Sequence, residues 1–115
     1  MSRIDKEYYD NGIIESEEYR NDDNEKHRID GPAVIIYNKN GDIKMELYYV
    51  NDIFHRENGP AYINYNFLHG GLIYGWAFNN KVYSSKVKEW IKENNFKSYE
   101  EMNKEDFDRM WFEIL

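Results

Sequence analysis

The sequence predicts a mainly β protein with an α-helical C-terminus. Its architecture is a meandering antiparallel sheet of tandem β-hairpin repeats over residues 1–83, followed by two short helices over residues 84–115 of the same domain. Three observations predict it. First, a seven-residue box, His27-Arg28-Ile29-Asp30-Gly31-Pro32-Ala33, returns as His55-Arg56-Glu57-Asn58-Gly59-Pro60-Ala61 at a spacing of 28 residues (55 − 27 = 28). A fixed period of that length marks a repeat architecture. Second, the segments between turn signals are rich in β-branched and aromatic residues. Third, beyond Ser84 the apolar residues recur at helical intervals.

Asp10-Asn11-Gly12 is the first turn signal, since Asn and Gly accept positive φ. Around it, residues 6–20 form a hairpin. Its second arm, Ile13 to Tyr19, is acidic and poorly alternating, and is expected to be an exposed edge strand guarded by its charge. Asn21 to Lys26 is a polar loop. After the first box, Ala33 to Tyr37 reads as a strand and Asn38 to Gly41 as a turn. Ile43, Met45, Leu47 and Tyr49 alternate along a half-buried strand. The second box leads into Ala61 to Tyr65. Ala33, Ile35 and Tyr37 keep their type as Ala61, Ile63 and Tyr65, which marks the packed face. A third copy, aligned at an offset of 29, begins at Gly70 and loses its box, because Ser84 stands where His55 should recur.

Ser84 or Ser85 is expected to cap a helix over Lys86 to Asn94, with Val87, Trp90 and Ile91 on one side. Ser98-x-x-Glu101 has capping-box form. Asn103 should start a last helix whose face is Phe107, Met110, Trp111 and Ile114. An array of repeats needs such a terminal cap over its last apolar face.

Within the box, Asp30-Gly31 and Asn58-Gly59 are expected to turn at positive φ. Pro32 and Pro60 suit the start of a strand, because they lack an N–H. His27, Arg28, His55 and Arg56 are expected to brace the loop by bonding carbonyls or the acidic neighbours Asp30 and Glu57. A zinc site from His27, His55 and His69 would need three imidazoles to converge. Repeats a hairpin apart do not favour that, so no metal and no cofactor are expected.

The chain has 115 residues, a net charge of −7, 32% charged residues and no cysteine. The acidic balance disfavours nucleic acid and anionic membranes as direct partners. It suits a partner protein with a basic surface. Without cysteine there is no disulfide framework and no thiolate metal site. No stretch has the length of a membrane span, so a cytoplasmic protein is expected. The aromatic content of 17%, with 11 tyrosines, argues for a packed domain.

The pattern Gly-x-Ile…Tyr-x-Asn/Asp…His-Arg-x-x-Gly-Pro-Ala resembles MORN-like repeats, in the variant of small bacterial, phage and giant-virus proteins. It is also similar to the MORN-type antitoxin family. The resemblance covers roughly residues 8–83. It implies a meandering antiparallel sheet and a protein- or lipid-binding role without catalysis. The acidic charge and the helical C-terminus speak against lipid.

Two functions of the binding class follow. One is a non-catalytic protein-interaction module that binds and inhibits a partner. Tyr48, Tyr62 and Tyr74 are its candidate contacts, since tyrosine buries large area at small entropic cost. The alternative is a phage or viral inhibitor of host defence that presents Glu15, Glu17, Glu18, Asp22 and Asp23 as a nucleic-acid-like decoy. An enzyme is disfavoured by the lack of a nucleophile with base spacing and of a Gly-rich phosphate loop. The free outer edge of the first hairpin offers a route to self-association.

Overall fold

The computed structural model describes residues 2–65 and 72–115. Its main sheet is antiparallel and has six strands in the spatial order β1-β2-β3-β4-β7-β8. These are β1 (Arg3–Tyr8), β2 (Ile14–Arg20), β3 (Val34–Tyr37), β4 (Ile43–Leu47), β7 (Tyr62–Asn64) and β8 (Ile73–Gly75). Two short ribbons hang from the ends of this sheet. They are β5 (Tyr49–Val50) with β6 (Ile53–Phe54), and β9 (Ala77–Phe78) with β10 (Lys81–Val82). Helix α1 (Ser84–Glu93), a 3-10 turn (Tyr99–Glu101) and helix α2 (Lys104–Ile114) complete the chain. The sequence expectation of tandem hairpins followed by two helices holds.

The tight turns form where glycine allows them, with Gly12 at φ 85° and Gly41 at φ 95°. Each is followed by a bulge that the hairpins share. Tyr8 faces Ile14 and Glu7 faces Ser16; Tyr37 faces Ile43 and Ile36 faces Met45. Glu15 and Lys44 are therefore the extra residues, and the bulge recurs at the same place in each unit. The second arm of the first hairpin is not an edge. Strand β2 pairs with β1 on one side and β3 on the other, and β1 is the edge. Charge alone suggested an edge, but here Glu17 is taken up by Tyr37 of β3 and Glu18 by Arg20 of β2 itself.

The ribbons were not legible as strands. Their turns, Asn51-Asp52 (φ 51° and 63°) and Asn79-Asn80 (φ 48° and 69°), place two consecutive residues in the left-handed region. Asn and Asp tolerate this, and the right-handed strand twist favours such turns. The ribbons also reset the alignment of the third copy. The N–H groups of His27, His55 and Tyr83 donate to the carbonyls of Tyr19, Tyr48 and Trp76. Tyr83, not Ser84, thus holds the histidine position, and the offset between second and third boxes is 28 (83 − 55 = 28). Gly70 and His69 lie outside the described residues.

Ala33, Ala61 and Ala77 are fully buried, and Ile35 and Ile63 nearly so. In the second copy the face kept between copies is the packed one, as expected; in the first, Val34 on the other face is buried as well. The largest core lies at the C-terminal end, where Trp76 meets Val87, Trp90, Met102, Phe107, Met110 and Trp111. The helices cap that end of the array. Helix α1 begins without a side-chain cap, and Ser84 Oγ instead accepts from the Trp76 N–H at 2.9 Å. Ser98 accepts from Glu100 N–H to start the 3-10 turn. Asn103 and Asp106 form a full capping box on α2.

Candidate interaction site

Each box is built around its arginine. The Arg28 guanidinium lies over the Tyr19 ring, 4.1 Å from its centroid, and that of Arg56 lies over Tyr48 at 4.0 Å. Nη1 of each donates to a carbonyl four residues on, Pro32 O at 3.2 Å and Pro60 O at 3.0 Å. On its other side each guanidinium rests against glycine. A Cβ at Gly31 would sit 2.8 Å from Arg28 Cζ, and one at Gly59 would sit 2.6 Å from Arg56 Cζ. The glycines are therefore there for room. They are not at positive φ, which corrects the turn expectation for this dipeptide. A planar cation stacked between a ring and a bare backbone is a role that lysine cannot fill.

The histidines join neighbouring units. His27 Nδ1 accepts the Asn51 N–H at 3.1 Å, and His55 Nδ1 accepts the Asn79 N–H at 3.0 Å. Nδ1 of each ring thus serves as a hydrogen-bond acceptor. Each imidazole pins the turn of the next ribbon. Asp52 and Asn80 repeat the pattern with their side chains, accepting from Lys26 N–H and Phe54 N–H. His55 Nε2 also stands 3.6 Å from Glu57. The bracing of the loops by these four residues is as expected for the arginines. For the histidines the partner is a backbone N–H a unit away, which a single-loop reading did not contain.

A second row crosses the sheet. Tyr37 Oη donates to Glu17, and Tyr65 Oη to Glu46. Burial and then the Glu17 hydrogen bond push the Tyr37 phenol up to about 12. Burial and then the Glu46 hydrogen bond raise Tyr65 as well. Both phenols are thereby held in the protonated form that donates to the glutamates.

The candidate contact residues do not form one surface. Tyr48 and Tyr74 share the box face, because Tyr48 N–H bonds Ala61 O and Tyr74 faces Ile63. Tyr48 is half-buried beneath Arg56, and Tyr74 meets Tyr99 edge-on at 5.4 Å. Tyr62 lies on the opposite face over Gly75 and accepts from Asn64 Nδ2 at 3.1 Å. The acidic run is also divided. Glu17 is bonded to Tyr37, and Glu18 pairs with Arg20 at 2.6 Å on the other face. Glu15 sits in the bulge, while Asp22 and Asp23 are exposed in the following loop.

Two grooves flank the boxes and are equivalent by the repeat. The inner one, about 380 Å³, lies over Tyr48 between the two boxes and holds Asp30, Arg56 and Glu57. The outer one, about 650 Å³, lies over Tyr19 and is lined by Arg3, Lys6, Arg20, His27 and Arg28 beside Ile4 and Ile29. Sequence reasoning missed this cationic end, because its residues come from three separate segments. No group of three or more His, Cys, Asp or Glu among the described residues could hold a metal ion. No described helix is long and apolar enough to cross a membrane. Comparison with known protein families, curated proteins and solved structures finds no match for this chain.

Proposed function

We propose that the chain is a non-catalytic protein-binding module built on MORN-like repeats. The observation that carries this is the engagement of the box side chains. Arg28 and Arg56 are stacked and bonded to carbonyls, and His27 and His55 accept from the next ribbon. The groups best suited to acid–base chemistry hold the units together. Among the described residues, solvent meets a strand edge, shallow grooves and single apolar side chains such as Ile29, Ile73 and Phe112. A repeat scaffold of this kind offers shape and hydrogen-bonding edges to a partner.

The test is affinity capture on the immobilised chain, followed by cross-linking mass spectrometry of the eluate. The proposal expects a stoichiometric protein partner cross-linked to a defined surface. It also expects His27→Ala and His55→Ala to lower stability with no activity to lose. A turnover that disappears in those variants at unchanged stability would contradict it.

A further inference from the structure

We propose that the free edge of β1 receives an extended strand of a partner protein carrying the sequence Glu-x-Tyr, in the register by which β2 meets β3. This names the class of partner for the binding module and rests on that reading. The chain makes the same junction twice internally. Glu17 faces Ile35 and takes the Tyr37 hydroxyl, while Tyr19 N–H bonds Ala33 O. Glu46 faces Ile63 and takes the Tyr65 hydroxyl, while Tyr48 N–H bonds Ala61 O. In both, a Glu-x-Tyr strand docks on a strand of the next hairpin.

Strand β1 repeats the receiving side. The shared bulge places Ile4, Lys6 and Tyr8 where β3 has Ala33, Ile35 and Tyr37. The equivalents are buried or bonded, but Ile4 is 45% and Tyr8 59% exposed. Lys6 replaces the isoleucine beneath the incoming carboxylate, and among the described residues it makes no ion pair. The Tyr8 hydroxyl likewise has no described hydrogen bond. Charge points the same way. In a chain of net charge −7, the groove beside this edge gathers Arg3, Lys6, Arg20 and Arg28. Arg3 and Arg20 lie on the other face of the strands, paired there with Asp5 and Glu18, and Arg28 pairs with Asp30, so Lys6 is the cation that faces the incoming strand. A carboxylate arriving on the box face therefore meets Lys6, whose cross-strand neighbour Glu17 is already engaged by the Tyr37 hydroxyl. Main-chain pairing supplies affinity along the edge, and the Glu and Tyr positions supply selectivity.

The opposite face of β1 carries Asp5 and Glu7, so the residues flanking the incoming glutamate must not be acidic. A blocked heptapeptide with the sequence of residues 43–49, Ile-Lys-Met-Glu-Leu-Tyr-Tyr, meets that condition. It sets Leu and Met against Asp5 and Glu7. Titrating it into the full chain and following backbone amide shifts by NMR is the experiment. Saturable shifts centred on residues 3–8 are expected. Replacing the peptide glutamate by lysine should weaken binding about tenfold, as should Lys6→Glu in the chain. Combining the two reversals should restore it. Tyr8→Phe, which keeps the ring, should weaken binding several-fold and serves if Lys6→Glu fails to fold.

Shifts centred elsewhere, indifference to the charge of the peptide glutamate, or absence of binding would each overturn the proposal. So would β1-mediated dimerisation in light scattering that the peptide does not displace. If the peptide fails while affinity capture yields a partner on another surface, the binding module stands and this docking edge falls.

Discussion

A guanidinium stacked between a phenol ring and a glycine makes three residues depend on one another. Alanine at Gly59 would drive a methyl group into the Arg56 side chain, because the built Cβ lies 2.6 Å from Cζ. We expect Gly59→Ala to lower unfolding stability by about 1–3 kcal/mol, as other overpacking substitutions do. Arg56→Ala should also destabilise, through lost stacking and the bond to Pro60 O. The double variant should cost less than the sum, by roughly 0.5–3 kcal/mol, since removing the guanidinium frees the space the methyl needs. Urea unfolding of the four proteins measures this cycle, and strict additivity would count against the stack. The box was visible in the sequence as a pattern, but its reason was not. A glycine after Asp or Asn signals a turn locally, whereas here it answers to an arginine three residues back.

At the scale of elements, tyrosines and glutamates join strand to strand. The Tyr37 phenol is raised from 10.0 to about 12 on folding. Its contribution to stability is therefore whole below pH 10 and is lost as pH climbs through about 12. Alkaline unfolding followed by far-UV dichroism should show that decline, and Tyr37→Phe should flatten part of it. A decline of equal steepness in Tyr37→Phe would show that this phenol is not responsible.

The helical cap makes a second prediction. Trp111 is buried against Trp76, Phe78 and Tyr83, and its Nε1 donates to Glu57 O at 2.8 Å. Trp111→Ala should cost about 3–5 kcal/mol, a large part of the stability of a domain this size. Thermal melts would check it, and a loss below about 1 kcal/mol would mean the cap contributes little.

Elements with a strong period were legible. The face of α2 through Phe107, Met110 and Trp111 and the alternation of Ala61 and Ile63 are examples. Two-residue strands such as β5 and β9 are too short for any period, and only the Asn51-Asp52 and Asn79-Asn80 pairs marked them. Ser84 looked like a cap because serine often is one, but in the third unit it occupies the arginine position and bonds Trp76 instead.

Across the whole molecule the two ends differ. The array extends over 47 × 36 × 21 Å, with its main core beneath the helices and an open strand at the other end. The helices fill the place that a further box would take, since Trp111, Phe107 and Tyr99 surround Trp76 where an arginine covers Tyr19 and Tyr48. That asymmetry was foreseen for the cap but not for the cationic open end. Its residues, Arg3, Lys6, Arg20 and Arg28, are scattered through a sequence whose sum is acidic.

The central claim is that the repeated histidines are fastenings between units. Amide hydrogen exchange at the two ribbon turns tests it most directly, because Asn51 N–H is held by His27 and Asn79 N–H by His55. His27→Ala should speed exchange at Asn51 and leave Asn79 protected, and His55→Ala should do the reverse. Equal exchange at both amides in wild type and variants would mean the imidazoles fasten nothing, and the box would need another explanation.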